Sequence, residues 1–194
     1  MNTPAHLIFA AAAFAKPGAP RRTWAAPAGA LAPDLSLYVM SIWALYVQGL
    51  DPGHVFGTLY FSDSWQNVFR VDNSFLVWGA LLAICWWRGS AVGMVFTASA
   101  LLHLAFDFPL HHDDGRPHFW PLSDWVFQSP ISYWDRGHYG AIIGPLEMAA
   151  CVLLLIVLFR RFDSLRSRAF IALAATIQIL PVFIWVFVFA ADGG

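Results

Sequence analysis

The sequence has little charge. Asp, Glu, Lys and Arg together make up 12% of its 194 residues, and the formal net charge is −1. A protein that binds nucleic acid through its phosphates needs a concentrated excess of positive charge, which this composition does not supply. We therefore expect no nucleic-acid partner.

Cysteine is scarce, and an N-terminal positive charge is missing. Cys85 and Cys151 both lie within apolar runs, where a thiol acts as a small hydrophobic side chain and says nothing about redox compartment. The start "MNTPAH" carries no Lys or Arg ahead of the apolar run, whereas a secretory signal peptide begins with a positive region. We therefore expect this segment to belong to the mature structure.

Apolar side chains are abundant instead. Hydrophobic residues make up 59% of the chain, with ten Trp and seventeen Phe, which predicts an all-α, polytopic integral membrane protein. We expect a single membrane domain over 1–194 with about five to six membrane segments and a short or broken N-terminal helix pair. Apolar stretches fall at 4–15, 24–33, 35–50, 74–87, 91–110, 139–159 and 169–191.

The lengths of these stretches decide which of them can span a membrane, because a spanning helix needs about 20 residues. The last two are long enough, and we expect 126–194 to form a C-terminal helical hairpin. The first would reach only roughly 18 Å at the helical rise, so it should be a half-depth or tilted helix. Thr3 is its predicted N-cap and Pro4 its first helical residue, which places His6 in the first turn near the membrane surface.

The Lys and Arg residues predict an orientation. If 24–50 forms one net crossing, broken at "APD", eight of the eleven cations share one face, which the positive-inside rule makes cytoplasmic. The opposite face then holds most of the acidic side chains and a His-rich loop. Two separate crossings would split the cations six to five, so we favour one. The eight cations are Lys16, Arg21, Arg22, Arg88, Arg160, Arg161, Arg166 and Arg168.

The segment "LLHLAFD" carries a potential metal site. His103 and Asp107 are four residues apart, so on a helix both project from one face. A carboxylate buried in a membrane helix is costly without a cation, and no Lys or Arg lies within this helix. A divalent metal such as Zn, which takes imidazole and carboxylate ligands, would satisfy both groups. The alternative is that the two side chains only hydrogen-bond each other.

The loop that follows supplies more ligand-type side chains within eight positions. We expect one or two of them to face the site, with His111 and Asp113 favoured as partners two residues apart, and the others to be surface residues. The five side chains are His111, His112, Asp113, Asp114 and His118.

Two further acids have competing interpretations. Asp34 follows Pro33 and precedes an apolar run, which is typical of an N-cap, yet the favoured topology puts it on the same face as His6 and His103. Glu147 lies deep in the 139–159 stretch. It is either part of a polar packing network near a helix start or a general base.

In order and spacing, residues 1 to 125 resemble the bacterial membrane-bound metal-dependent hydrolase family, the YdjM-like inner-membrane hydrolases. That family has a Thr-x-x-His start, a small-residue helix ending in Leu-Pro-Asp-x-Asp, a His-Arg-Gly-x-Thr-His-Ser segment, and a Ser-His-x-x-x-Asp helix before a Trp-Pro loop. The counterparts here are "TPAH", "ALAPDLS", "RVDNSF", "LLHLAFD" and "FWP".

The resemblance implies an inner-membrane enzyme that hydrolyses an ester or phosphoester, lipid-linked or close to the membrane, with a divalent metal, Zn by preference. It implies that His6, Asp34, His103 and Asp107 hold the metal, and that His111, His112, Asp113 or Asp114 complete the site or move protons. Ser36 and Asn73 replace family ligands. Either loop residues rebuild the metal site, or the scaffold persists without its chemistry.

Other interpretations stay open. The chain is also similar to short proteobacterial membrane proteins with a cobalamin-biosynthesis CobQ label, but the soluble amidotransferase of that name needs a Cys nucleophile paired with His. A non-catalytic scaffold could instead bind a membrane protein partner through the aromatic segment "FWPLSDWVFQSPISYW". A permease has little support, because only Glu147 lies deep in a long helix.

Overall fold

A computed structural model describes residues 1–184 of the chain, with side chains to residue 180. Every regular element in this part is helical, which confirms the all-α prediction for it. The α-helices are α1 (Thr3–Phe14), α2 (Pro20–Ile42), α3 (Pro52–His54), α4 (Asp63–Asp72), α5 (Phe75–Trp87), α6 (Ala91–Asp107), α7 (Gly140–Arg161) and α8 (Leu165–Ile184). Single π-helical turns cover Trp43–Val47 and Val55–Leu59, and a 3₁₀ turn covers Arg136–His138.

Three helical stretches in the described chain are long and apolar enough to cross a membrane: Pro20–Val47, Asp63–Trp87 and Gly140–Arg161. The apolar helices α1 and α6 are shorter. Only 22% of each spanning window is buried inside the protein, so most of its apolar surface faces outward. A bilayer would cover that surface, since a water-soluble fold rarely exposes so much of it. Length and composition therefore indicate a membrane protein.

In the N-terminal region the structure differs from two predicted helix caps and one predicted helix break. Asn2, rather than Thr3, caps α1, because its side-chain oxygen accepts a hydrogen bond from the Ala5 amide at 2.8 Å. Helix α2 continues through Pro33 and Asp34, so the chain is not broken at "APD" and Asp34 is not an N-cap. Proline is tolerated inside membrane helices because neighbouring groups can satisfy the carbonyls that it frees.

The C-terminal part also differs from the expected hairpin. Residues 126–139 are mostly irregular, and the helical pair begins only at Gly140. Pro145 and Glu147 thus lie inside α7 instead of at its start. The predicted stretch 169–191 overlaps α8, and its residues after 184 lie outside the described part of the chain.

Helices α2 and α6 cross at very close range. A Cβ atom on Gly29 would lie 2.0 Å from the carbonyl oxygen of Phe96, so only glycine fits there. The neighbouring side chains of α2 are small and buried, including Ala26 and Ala30. Small residues of this kind let membrane helices approach closely and pack backbone to backbone. This contact fixes how closely α6 approaches α2.

Helix α1 packs against α7, and cations lie near the C-terminal end of α1. Ile8, Cys151 and Leu155 belong to one buried cluster. Beyond the last turn of α1, Arg161 donates hydrogen bonds to the carbonyls of Ala12 and Ala15, at 2.6 and 3.3 Å. Lys16 follows directly, so these cations lie at the end of α1 away from His6.

We predict that Gly29→Ala destabilises the protein, because the added methyl must displace the backbone of α6. Overpacking of this kind costs about 1–3 kcal/mol. Gly79→Ala is the matched control, since Gly79 is also helical and a Cβ there meets nothing within 4 Å. Thermal unfolding in detergent, followed by circular dichroism, should show a lower midpoint for Gly29→Ala alone. Equal midpoints for the two variants would contradict the close crossing.

Candidate metal centre

Three buried side chains from two helices converge at one point. His6 comes from the first turn of α1, as predicted, and His103 and Asp107 come from the last turns of α6. The Asp107 carboxylate bridges the two rings, with Oδ1 2.8 Å from His6 Nε2 and Oδ2 3.0 Å from His103 Nε2. One ligand-type atom from each residue lies within 4.8 Å of the other two. This is the spacing at which three side chains can share one metal ion.

The proton position on His103 follows from its backbone contact. Its Nδ1 lies 2.7 Å from the carbonyl oxygen of Ala30, which can only accept, so Nδ1 carries the proton. In the neutral ring, Nε2 then presents a lone pair to Asp107 Oδ2 at 3.0 Å and to Asp34 Oδ1 at 3.7 Å. Among the described residues, none meets the hydrogen-bonding geometry for this buried Nε2. Facing lone pairs repel each other, so either a second proton on the His103 ring or a metal ion lies between Nε2 and the carboxylates.

The separations fit a metal as that cation. Two ligand atoms bound tetrahedrally to one Zn²⁺ at about 2.0–2.2 Å each lie roughly 3.3 Å apart. The contacts of His103 Nε2 to Asp107 and Asp34, at 3.0 and 3.7 Å, lie on either side of that value. A backbone carbonyl that fixes the ring through Nδ1 is also the usual support of a metal-binding histidine. The residues present therefore suit a divalent ion.

Asp34 is held towards this point by a short chain of hydrogen bonds. The Tyr38 hydroxyl donates to Thr3 Oγ1 at 2.8 Å, and Thr3 Oγ1 donates to Asp34 Oδ2 at 2.6 Å. The other oxygen, Oδ1, is the one that approaches His103. Asp34 thus reaches the site from the interior of α2, within reach of a fourth ligand position.

His111 adds a second layer to the site. Its Nε2 lies 3.3 Å from Asp107 Oδ1, and its Nδ1 lies 2.9 Å from Asp114 Oδ1. Burial lowers the pKa of His111, but the contacts with both carboxylates outweigh it and raise the pKa to about 9. Burial alone would raise the pKa of Asp114, and the contact with His111 lowers it overall. The partner of His111 is therefore Asp114, and the expected pairing with the exposed Asp113 is corrected.

The N-terminus of the chain and α7 also reach the centre. The Met1 amino nitrogen lies 2.8 Å from Asp107 Oδ1. The Asn2 amide donates to Glu147 Oε1 at 3.3 Å, and the buried Glu147 Oε2 has no hydrogen-bond partner among the described residues. Glu147 thus belongs to the polar network that surrounds Asp107, beyond the 1–125 segment that the sequence singled out.

Two of the loop histidines lie elsewhere. His112 Nδ1 is 2.7 Å from the Ser129 carbonyl oxygen, and its ring stacks on His138 with 3.5 Å between centroids. His118 Nδ1 is 2.8 Å from the Asn73 carbonyl oxygen, and burial lowers the pKa of His118. Both rings donate to backbone carbonyls, so they stabilise the loop and do not join the converging ligands.

A cavity of about 350 Å³ adjoins the centre, and Asp34, Asp107, His111 and Asp114 line it. Several residues on its wall were not singled out from the sequence: Tyr38, Tyr60, Arg116 and Tyr133. They lie on four separate segments, and no spacing within the sequence connects them. Arg116 could have been identified from the sequence, because it is the only cation within the His- and Asp-rich loop.

No protein-family model, curated protein or solved structure matches the chain. The class of the protein is therefore argued from the centre itself.

We predict that Asp107→Asn removes bound metal while the fold remains. The amide keeps the size of the side chain but loses the negative charge that offsets a divalent cation. Loss of a group that supports a metal ligand costs about 10-fold to 100-fold in affinity, and loss of the ligand itself at least about as much. Asp113→Asn is the matched control, because it makes the same change at an exposed position. Elemental analysis of both purified variants checks this, and full metal occupancy in a folded Asp107→Asn protein would eliminate Asp107 as a ligand.

Proposed function

We propose that the protein is a membrane-bound metal-dependent hydrolase of the YdjM-like kind, acting on an ester or phosphoester that is lipid-linked or close to the membrane. The observation that supports this most is the position of the His103 ring. Its Nδ1 is fixed by the Ala30 carbonyl, and its Nε2 faces the oxygens of Asp107 and Asp34, an arrangement that suits a divalent cation.

The proposed roles follow from the contacts. His6, His103 and Asp107 would hold the metal, Zn by preference, and Asp34 would provide a fourth ligand. A bound ion would supply Lewis acidity for the hydrolysis of an ester or phosphoester. His111, held between the Asp107 and Asp114 carboxylates that raise its pKa to about 9, is protonated at neutral pH and is suited to donate a proton beside the ligands.

The proposed setting is the bacterial inner membrane, crossed several times, with five to six membrane segments once the shorter helices α1 and α6 are included. The metal centre would face the periplasm. Arg88 supports this orientation, because it lies beyond the N-terminal end of α6 while Asp107 lies at the C-terminal end. Lys16 and Arg161 lie at the end of α1 that is remote from His6.

A non-catalytic scaffold is the alternative that one observation favours. The segment 119–134 exposes Leu122 by 82%, Trp125 by 55% and Trp134 by 53%. Exposed aromatic side chains are common both at membrane interfaces and in protein contacts. A scaffold of this kind has no need of the metal, so metal content separates the two functions.

We expect the purified wild-type protein to contain about one equivalent of a divalent metal, and His103→Ala to lose it. His112→Ala is the control, since this histidine donates to the Ser129 carbonyl and stacks on His138, away from the converging ligands. Inductively coupled plasma mass spectrometry of the detergent-purified proteins measures the content. A wild-type protein without metal after purification in zinc-containing buffer would support the scaffold.

Hydrolysis is tested on the same preparations. We expect the wild-type protein and His112→Ala to hydrolyse p-nitrophenyl esters or phosphate esters, and His103→Ala to be inactive. Removal of metal with a chelator should abolish the activity, and added zinc should restore it. Activity that survives in metal-free protein would contradict the proposed mechanism.

The orientation has its own test. In a background with Cys85 and Cys151 replaced by Ala, a cysteine at the exposed Asp113 should react with an impermeant maleimide on intact spheroplasts. A cysteine at the exposed Arg88 should react only after the membrane is permeabilised. The reverse pattern would place the metal centre in the cytoplasm.

A further inference from the structure

Arg116 lies on the wall of the cavity beside the metal centre, and its hydrogen bonds go to neutral groups. One terminal nitrogen, Nη1, donates to Gln66 Oε1 at 3.1 Å, and the other, Nη2, donates to the Tyr60 hydroxyl. Gln66 is itself fixed, because its amide nitrogen donates to the Tyr60 carbonyl at 2.5 Å. The guanidinium is thus positioned by neutral groups, while its charge also acts on the nearby Asp114 carboxylate.

Aromatic rings hold the same group in place. The Arg116 guanidinium carbon lies 4.7 Å from the centroid of the Tyr60 ring and 4.6 Å from that of Phe69. Within the described residues Arg116 makes no ion pair at 4.0 Å or less. A guanidinium carries five N–H donors, of which the two hydrogen bonds use two. A rigid cation with spare donors therefore faces the cavity.

Two phenols add neutral donors to the same wall. The Tyr60 hydroxyl accepts from Arg116, so its own proton is free to be donated. Tyr133 lines the cavity beside His111, with 5.3 Å between ring centroids. Burial raises the pKa of both tyrosines, so both hydroxyls stay protonated at neutral pH. These donors suit the oxygens of an anion.

The charges of the cavity decide when an anion can enter. Asp34, Asp107 and Asp114 line it together with Arg116, so the carboxylates alone would repel an anion. A divalent ion at the metal centre offsets two of those charges and leaves Arg116 to attract the ligand. Anion binding should therefore depend on bound metal.

We propose that Arg116 makes this cavity a binding site for a phosphate group, so that the substrate is a phosphate ester. The inference rests on the proposed function, because it needs the metal to be present. The planar guanidinium fork matches the paired oxygens of a phosphate, and Arg is favoured where such bidentate recognition is needed. A volume of about 350 Å³ accommodates a headgroup but not a whole lipid.

The phosphate has two possible sources, a soluble ester and a lipid headgroup. A second, largely apolar cavity of about 620 Å³ is lined by residues of α1, α2, α7 and α8, and Pro4 lines both cavities. Its wall includes Ala11, Leu155 and Ile171, which would suit an acyl chain. If the ligand is a lipid, narrowing this second cavity will weaken its binding without an effect on free phosphate.

The test measures binding to zinc-loaded protein in detergent by isothermal titration calorimetry, after free zinc is removed. The probes are inorganic phosphate and dihexanoyl phosphatidic acid. Arg116→Gln should bind both about 10-fold to 100-fold more weakly, as expected for a lost charged hydrogen bond. The zinc content of Arg116→Gln should equal that of the wild type, because Arg116 is not a ligand. Arg88→Gln, at an exposed turn, should bind as the wild type does.

Unchanged phosphate binding in Arg116→Gln with normal zinc would overturn this inference and leave the proposed hydrolase standing. Absence of zinc from the wild type would overturn both. If Arg116→Gln does not fold, Arg116→Lys is measured instead. Weaker phosphate binding by Arg116→Lys supports bidentate recognition by the guanidinium, and unchanged binding overturns it.

Two variants identify the source of the phosphate. With a lipid ligand, phosphatidic acid binds more tightly than inorganic phosphate, and Ala11→Phe removes that advantage while Ala13→Phe, at an exposed position, does not. With a soluble ligand the two probes bind alike. Either result supports phosphate recognition when Arg116→Gln weakens both probes.

Discussion

The buried carboxylate of Asp107 is the group on which the centre of this protein depends. Its oxygens lie within 3.3 Å of His6, His103, His111 and the Met1 amino nitrogen, which come from α1, α6 and the loop after α6. A charge buried at the end of an apolar helix is expensive unless groups of opposite or compensating character surround it. Asp107 therefore draws three separate segments to one point, and the geometry of the candidate metal site follows from that requirement.

The backbone packing of the small-residue helices makes this convergence possible. Gly29 lets α2 approach the backbone of α6, and the next residue, Ala30, accepts the hydrogen bond that orients His103. One turn further along α2, Asp34 then faces the same ring. The close crossing and the ligand geometry are thus one feature, because any separation of the two helices would remove the carbonyl that fixes the imidazole.

The polar groups are distributed unevenly along the molecule, and this relates the fold to the proposed chemistry. The candidate metal centre, its cavity and Arg116 lie where α6 ends, while Arg161 and Lys16 lie at the far end of α1. The outer faces between these ends are largely apolar. A substrate that is anchored in the bilayer could present its polar group to the centre without leaving the membrane, which agrees with two cavities that share Pro4.

Local patterns in the sequence determined the helical class and the approximate bounds of most helices, because apolar runs mark individual helices. They also determined the pairing of His103 with Asp107, because residues four apart lie on one face of a helix. They failed at Asp34, where a cap signal lies inside a continuous helix, and at Asp113, where Asp114 takes the contact with His111. The topology and the family resemblance already placed His6 with His103 and Asp107. The direct contact of His6 with Asp107 across 101 residues, and that of Arg116 with Tyr60 across 56, are fixed by the tertiary structure. Such contacts depend on how helices cross, and the crossing is set by complementary surfaces of distant segments that no local pattern records.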